Sequence, residues 1–105
     1  VQPLSPVRLR KHPIAFAVDY STKTQRSLAK HFDESAMTLN VCLGNEFEGG
    51  SLLFYPGGWN SPSIEVEQKP GFALIHSGQL VHRATALISG TRTNLVMWCQ
   101  EKKSR

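Results

Sequence analysis

Residues 37–55 read MTLNVCLGNEFEGGSLLFY, and this stretch decides the fold. Its first seven residues alternate: Met37, Leu39, Val41 and Leu43 share one face of a strand, and Thr38, Asn40 and Cys42 share the other. The second face is small and polar, as a ligand cavity needs. Gly44-Asn45 and Glu48-Gly49-Gly50 are turn signals, and Ser51–Tyr55 is a second β-rich run. Working outward, Ile14–Tyr20 is β-branched and aromatic, and Ser63–Gln68 alternates with Glu65 and Glu67 toward water. Pro70-Gly71, Ser77-Gly78 and Ser89-Gly90 punctuate strands at Phe72–His76, Leu80–Ile88 and Arg92–Gln100. Ser27–Asp33 fits either a strand or one helical turn, and the His-x-Asp spacing favours the strand. No segment holds a helical period. About eight short strands with turns every 8–12 residues predict an all-β sandwich or barrel.

The domain is expected to span 14–100, with 1–13 as a proline-bearing arm or linker and 101–105 as a tail. The chain starts at Val1, shows no signal peptide, and is expected to be a piece of a longer one. Hydrophobic content of 40% and charged content of 19% suit one globular domain. No apolar run approaches the ~18 residues a membrane span needs. The net charge of +4 gathers at the ends, on Arg8, Arg10, Lys11, Lys102, Lys103 and Arg105. With no basic helix or motif beside them, these read as solvated tails rather than a nucleic-acid track. Cys42 and Cys99 lie in apolar runs and read as free, buried thiols, without the spacing of a zinc site.

The chemistry starts at His31-Phe32-Asp33. On an extended chain His31 and Asp33 point the same way, two corners of a metal site. His82 is the expected third ligand, with His76 as its competitor; His12, in the arm, has no role. Two imidazoles and one carboxylate, with the remaining positions open, suit non-haem Fe(II) used with dioxygen. Arg92, ten residues past His82, is placed to grip an acidic co-substrate. A 2-oxo acid can chelate the metal through its keto oxygen and adjacent carboxylate while a guanidinium pairs with its far carboxylate. The charges on Fe(II), Asp33, a 2-oxo diacid and Arg92 then cancel, as a low-dielectric pocket demands. If Arg92 points inward, so do Asn94, Val96 and Trp98, and Thr93, Leu95, Met97 and Cys99 face outward. Tyr20, Thr38 and Asn40 are candidates to bind the same far carboxylate, and Trp98 is expected to form a cavity wall.

The stretches HFDESAMTLNVCLGNEFEGGSLLFY, KPGFALIHSGQLVH and GTRTNLVMWC together resemble the prolyl and lysyl hydroxylase branch of the 2-oxoglutarate/Fe(II) dioxygenases. The likeness covers roughly Ile14 to Cys99. It implies a double-stranded β-helix, a jelly-roll-like barrel with the metal at its open end. It implies His31, Asp33 and His82 as iron ligands and Arg92 as the 2-oxoglutarate anchor. It implies hydroxylation of a Pro or Lys side chain in a protein or peptide, with dioxygen consumed, 2-oxoglutarate decarboxylated to succinate, and ascorbate keeping the iron reduced. The chain departs from the hypoxia-sensing prolyl hydroxylases at Cys42, where they carry Tyr, and only a short arm precedes the first strand where many members have a helical segment. Nucleic-acid demethylases of the same superfamily carry Arg-x-Asn-x-x-x-Arg on the last strand; here Trp98 stands at the second Arg, which disfavours a nucleic-acid substrate. A non-catalytic β-barrel binding module is the remaining alternative, disfavoured by the intact ligand set.

Overall fold

A computed structural model describes residues 13–23, 27–44 and 46–101. Nine strands run in order: β1 Ile14–Ser21, β2 Leu28–His31, β3 Met37–Gly44, β4 Phe47–Gly49, β5 Leu52–Tyr55, β6 Ile64–Val66, β7 Ala73–Ser77, β8 Val81–Ala84 and β9 Leu87–Cys99. No helix occurs among the described residues. One sheet has the order β1-β9-β3-β7, with β4 also paired to β9; the other has the order β2-β8-β5-β6. Every pairing is antiparallel. The two sheets face each other as a double-stranded β-helix. The expected arm lies outside the described residues except for Pro13, as do all but Glu101 of the tail, His12 and the terminal basic clusters.

Alternation sets the two faces of the larger sheet. Tyr20, Arg92, Cys42, Thr38 and Asn94 are buried on its inner side. The apolar side of β3 faces the other way: Leu43 is 56% exposed, and on the neighbouring strand Ile75 is 66% exposed. The small polar face of residues 37–43 is thus the inward one. Between the sheets Tyr20, Leu52, Phe54, Ala84 and Leu87 form the buried core, with Val18, Leu28, Phe47, Val66, Leu74 and Leu80 packed around it.

Two expectations for residues 80–92 are corrected. The strand foreseen over Leu80–Ile88 is two strands, because the chain changes sheets at Thr85-Ala86. There the Thr85 amide and hydroxyl both donate to the Ser51 carbonyl (2.9 and 3.2 Å), and the Gly50 amide donates to the Ala86 carbonyl (3.1 Å). Nor does Ser89-Gly90 reverse the chain. It lies inside β9, paired with Glu48 and Phe47 of β4. Gly90 takes φ +83°, and a Cβ there would collide with the Glu46 carbonyl. The glycine permits close backbone approach within a strand, where sequence alone suggests a turn.

Replacing Gly90 by Ala is therefore expected to destabilise the fold by about 1–3 kcal/mol, from the left-handed backbone and the collision together. Urea unfolding of the two proteins would show it as a lower midpoint; an unchanged midpoint would contradict the strand-interior role.

Candidate active site

The site lies at one end of the space between the sheets. His31 is the last residue of β2 and Asp33 follows just beyond the strand. The chain stays extended there because the Asp33 amide donates to the Gly78 carbonyl at 2.8 Å. Phe32, between them, turns to solvent. His82 is the second residue of β8 and pairs directly with His31. The structure therefore brings together three side chains that the sequence separates. His31 Nε2 is 3.3 Å and His82 Nε2 3.5 Å from the same Asp33 Oδ1. The three potential ligand atoms lie within 4.8 Å of one another, and they are the only such group among the described residues. Two imidazole nitrogens and a carboxylate oxygen so gathered could together hold one metal ion.

The orientation of each ring is fixed from behind. His31 Nδ1 donates to the Ala29 carbonyl (2.6 Å) and His82 Nδ1 to the Leu80 carbonyl (2.9 Å). A carbonyl can only accept, so each ring carries its proton on Nδ1 and presents the Nε2 lone pair to the site. Asp33 is braced likewise: the Thr38 hydroxyl donates to its Oδ2 at 2.7 Å, and Ser35 donates in turn to Thr38 at 2.7 Å. Thr38, expected beside the far carboxylate of a co-substrate, thus sits at the metal end with its proton committed to Asp33.

Charge follows this wiring. The hydrogen bond to Asp33 holds the His31 imidazole above its ordinary value, against burial. Burial alone would raise the Asp33 carboxyl, but its bonds with His31 and Thr38 and the nearby imidazoles leave it below the usual value. Burial lowers His82, keeping it neutral and ready to ligate.

A cavity of about 650 Å³ opens from these residues and runs inward past Thr38, Asn40, Val96, Trp98 and His76 to Tyr20, Leu52 and Ala84. Arg92 lies against the Tyr20 ring at this deep end, its guanidinium carbon 4.5 Å from the ring centre, with Phe47 at 5.2 Å. The residue is 0% exposed. Its Nε donates to Asn94 Oδ1 (2.8 Å) and its Nη1 to the Gly50 carbonyl (2.5 Å). Its Nη2 is buried with no partner. Burial lowers the Arg92 pKa and raises that of Tyr20; a guanidinium nevertheless stays charged at neutral pH. An unsatisfied, fully desolvated cation calls for an anion.

Asn40, expected at this end, belongs to a relay behind the guanidinium. Asn94 Nδ2 donates to Asn40 Oδ1 (2.8 Å) and to Gln68 Oε1 (2.6 Å), and Gln68 Nε2 donates to the Gly50 carbonyl (3.1 Å). Gln68 and Gly50 are contributors that sequence reasoning missed. Gln68 had a signal: it continues the inward phase of Val66 while Glu65 and Glu67 face out. Gly50 had only its place in a Gly-Gly pair; it takes φ +72°, and a Cβ would strike the Arg92 guanidinium. Cys42 and Cys99 are both free thiols, the former buried and the latter half-buried.

At the rim, Lys30 Nζ donates to the Trp59 carbonyl (2.9 Å) and lies 4.1 Å from the Tyr55 ring centre, tying the β5–β6 connection to β2 beside His31. Trp98 packs edge-on against Phe16 with centroids 5.4 Å apart, and its indole Nε1 is buried without a partner.

No protein-family model matches the chain. Individual proteins do. The Arabidopsis thaliana 2-oxoglutarate and iron-dependent oxygenase domain-containing protein ICU11 is 38% identical over 99 residues, covering 86% of this chain and 25% of that protein. The Homo sapiens 2-oxoglutarate and iron-dependent oxygenase domain-containing protein 2 is 38% identical over 103 residues, covering 93% and 29%. Human procollagen-lysine,2-oxoglutarate 5-dioxygenase 2 is 39% identical over 82 residues, covering 73% and 11%. Among solved structures, a Pseudomonas putida prolyl-4-hydroxylase superposes with a TM-score of 0.66 at 16% identity, covering 85% of this chain and 51% of that one. A Burkholderia pseudomallei oxidoreductase of the 2OG-Fe(II) oxygenase family gives 0.67 at 18%, covering 86% and 47%. By sequence the chain belongs to the 2-oxoglutarate/Fe(II) dioxygenase superfamily, with a procollagen-lysine dioxygenase among its relatives, and its fold agrees. It spans about a quarter of the length of the first curated relatives it matches.

Two outcomes follow for metal binding. A protonated His31 must lose its proton before it can ligate. The Asp33 hydrogen bond holds its pKa above the ordinary histidine value, so metal affinity should fall as the pH drops and this ring protonates, approaching about tenfold per pH unit. Asp33, held below the usual carboxylate range by its bonds with His31 and Thr38, adds to this slope only at more acidic pH. Mn(II) titrations from pH 8 to pH 5 would reveal the slope; a flat profile would refute the coupling. Separately, Thr38→Ala should weaken Mn(II) binding about 10–100-fold by freeing Asp33 to turn, read in the same titration at pH 8.

Proposed function

We propose that this chain is the catalytic domain of an Fe(II)- and 2-oxoglutarate-dependent dioxygenase that hydroxylates a Pro or Lys side chain of a protein or peptide. The observation that carries it is the pairing of a three-ligand cluster with an unsatisfied buried guanidinium at the far end of the same inter-sheet space. The 2-oxoglutarate and iron in the names of the relatives, and the lysine and proline in the names of the hydroxylases among them, support the same chemistry.

The donor set fits the metal. His31, Asp33 and His82 would hold Fe(II) from one side through two neutral imidazoles and one carboxylate. When bound, iron supplies the dioxygen chemistry that couples decarboxylation of 2-oxoglutarate to hydroxylation of a C–H bond. The protein's own residues do the rest. Thr38, with Ser35 behind it, holds Asp33 with one oxygen facing both imidazoles. Arg92 takes the far carboxylate of 2-oxoglutarate on its free Nη2, with the charge on the guanidinium balanced by that carboxylate. Asn94, Gln68 and Gly50 keep the guanidinium from turning away, and Tyr20 confines the co-substrate beside it. Val96, Leu52 and Ala84 give the cavity apolar walls that exclude water from the reacting region.

Arg92→Ala should raise the 2-oxoglutarate KM about 10–100-fold through loss of a charge-assisted pair, and change the Fe(II) requirement by less than about threefold. Succinate release measured against each concentration would separate the two. Parallel increases in both would remove Arg92 from the anchoring role. The function itself is tested by adding Fe(II) and 2-oxoglutarate under nitrogen: a weak visible charge-transfer band is expected, and its absence would overturn the proposal.

A further inference from the structure

We propose that His76 is the hydrogen-bond acceptor that selects the substrate side chain, favouring one that carries an N–H donor on a hydrocarbon stem, lysine rather than proline. This rests on the oxygenase function proposed above and narrows the side chain its cavity takes.

His76 lines the same cavity as the ligand cluster. It pairs across the sheet with Thr38, the residue that braces Asp33, so it stands at the level of the metal ligands. It is not one of them: the ligand cluster closes on His31, Asp33 and His82 without it. Its Nδ1 lies 2.8 Å from the Ser77 carbonyl, which puts the ring proton on Nδ1 and leaves a lone pair on Nε2. That Nε2 is buried and has no partner. The ring cannot easily turn to find one, because Phe54 and His82 pack against it at 5.1 and 4.8 Å between centroids. Thr38, Asn40 and Asn94 on this sheet have partners, and the other unpaired buried groups, Arg92 Nη2 and Trp98 Nε1, are donors, so among the described residues His76 Nε2 is the unpaired acceptor. An unsatisfied acceptor, held by its packing on a side chain that lines the cavity with His31, Asp33 and His82, marks where a substrate donor belongs.

The chemistry of the two candidate side chains then separates them. A prolyl residue has no N–H on its ring or on its peptide nitrogen, so it would seal His76 Nε2 away from water still unpaired. A lysyl side chain brings donors only, three of them, on an apolar stem. A site built around a hydrogen bond rejects the analogue that lacks the donor far more strongly than a purely apolar site distinguishes shapes.

The test uses three peptide libraries, randomised around a central lysine, norleucine or proline. Norleucine keeps a linear hydrocarbon chain and lacks the donor. Binding is measured to protein loaded with Mn(II) and 2-oxoglutarate under nitrogen, and hydroxylated product is measured by mass spectrometry with Fe(II) in air. Lysine libraries should bind about tenfold or more tightly than norleucine libraries. The preference should shrink to about twofold in His76→Phe and persist in His76→Gln, whose amide oxygen is still an acceptor. Equal binding of lysine and norleucine by the unaltered protein would overturn the proposal without any variant. So would a lysine preference that survives His76→Phe, or product from proline libraries alone. If no library stimulates succinate release yet lysine preference is present, the oxygenase function fails and the role of His76 stands; succinate release with no lysine preference gives the converse.

Discussion

The buried charge of Arg92 constrains this structure more than any other single group. A desolvated guanidinium is costly, and the protein meets it with a carbonyl, an amide oxygen and two aromatic rings. Each of those partners imposes something further. Gly50 must be glycine to bring its carbonyl so close. Asn94 must be held by Asn40 and Gln68, which ties β3 and the segment after β6 to β9. Tyr20 must stand at the end of β1, opposite Arg92 in the pairing of first strand to last. One nitrogen is left over, and this remainder gives the interior of the barrel a polarity: cationic at the depth, imidazole and carboxylate at the mouth.

The two ends of the cavity are built by different means. At the mouth, short contacts along the chain dominate: His31 to Ala29, His82 to Leu80 and Thr38 to Asp33 each join residues five or fewer positions apart. At the depth, Arg92 to Gly50 and Asn94 to Asn40 join residues more than forty apart. The orientation of each ligand side chain is therefore set locally, whereas the guanidinium is placed mainly by tertiary packing.

This difference explains what could be read in the sequence. His31 and Asp33 were legible because alternation on an extended chain is a local property, and Arg92 because its inward phase carries Asn94, Val96 and Trp98 with it. The inward face of β3 was legible from its small polar residues. The sheet change at Thr85-Ala86 was not, since it is made by hydrogen bonds to Ser51 and Gly50 on another strand. Gly90 misled for a related reason: a glycine that admits a neighbouring backbone and one that turns a chain look alike until the neighbour is known. The bond from Thr38 to Asp33 was not legible, because the face of a strand residue fixes its direction but not its depth.

The pairing of β1 with β9 has a consequence for assembly. All four strands of the smaller sheet, which carry His31 and His82, precede β9 in synthesis, and so does Asp33. The larger sheet, by contrast, cannot form until its central strand exists, because β9 separates β1 from β3. A nascent chain thus holds all three candidate ligands before it holds the guanidinium, and β1 waits for its partner β9 until late in synthesis. Such long-range closure makes folding slow and leaves partly made chains prone to association through that strand.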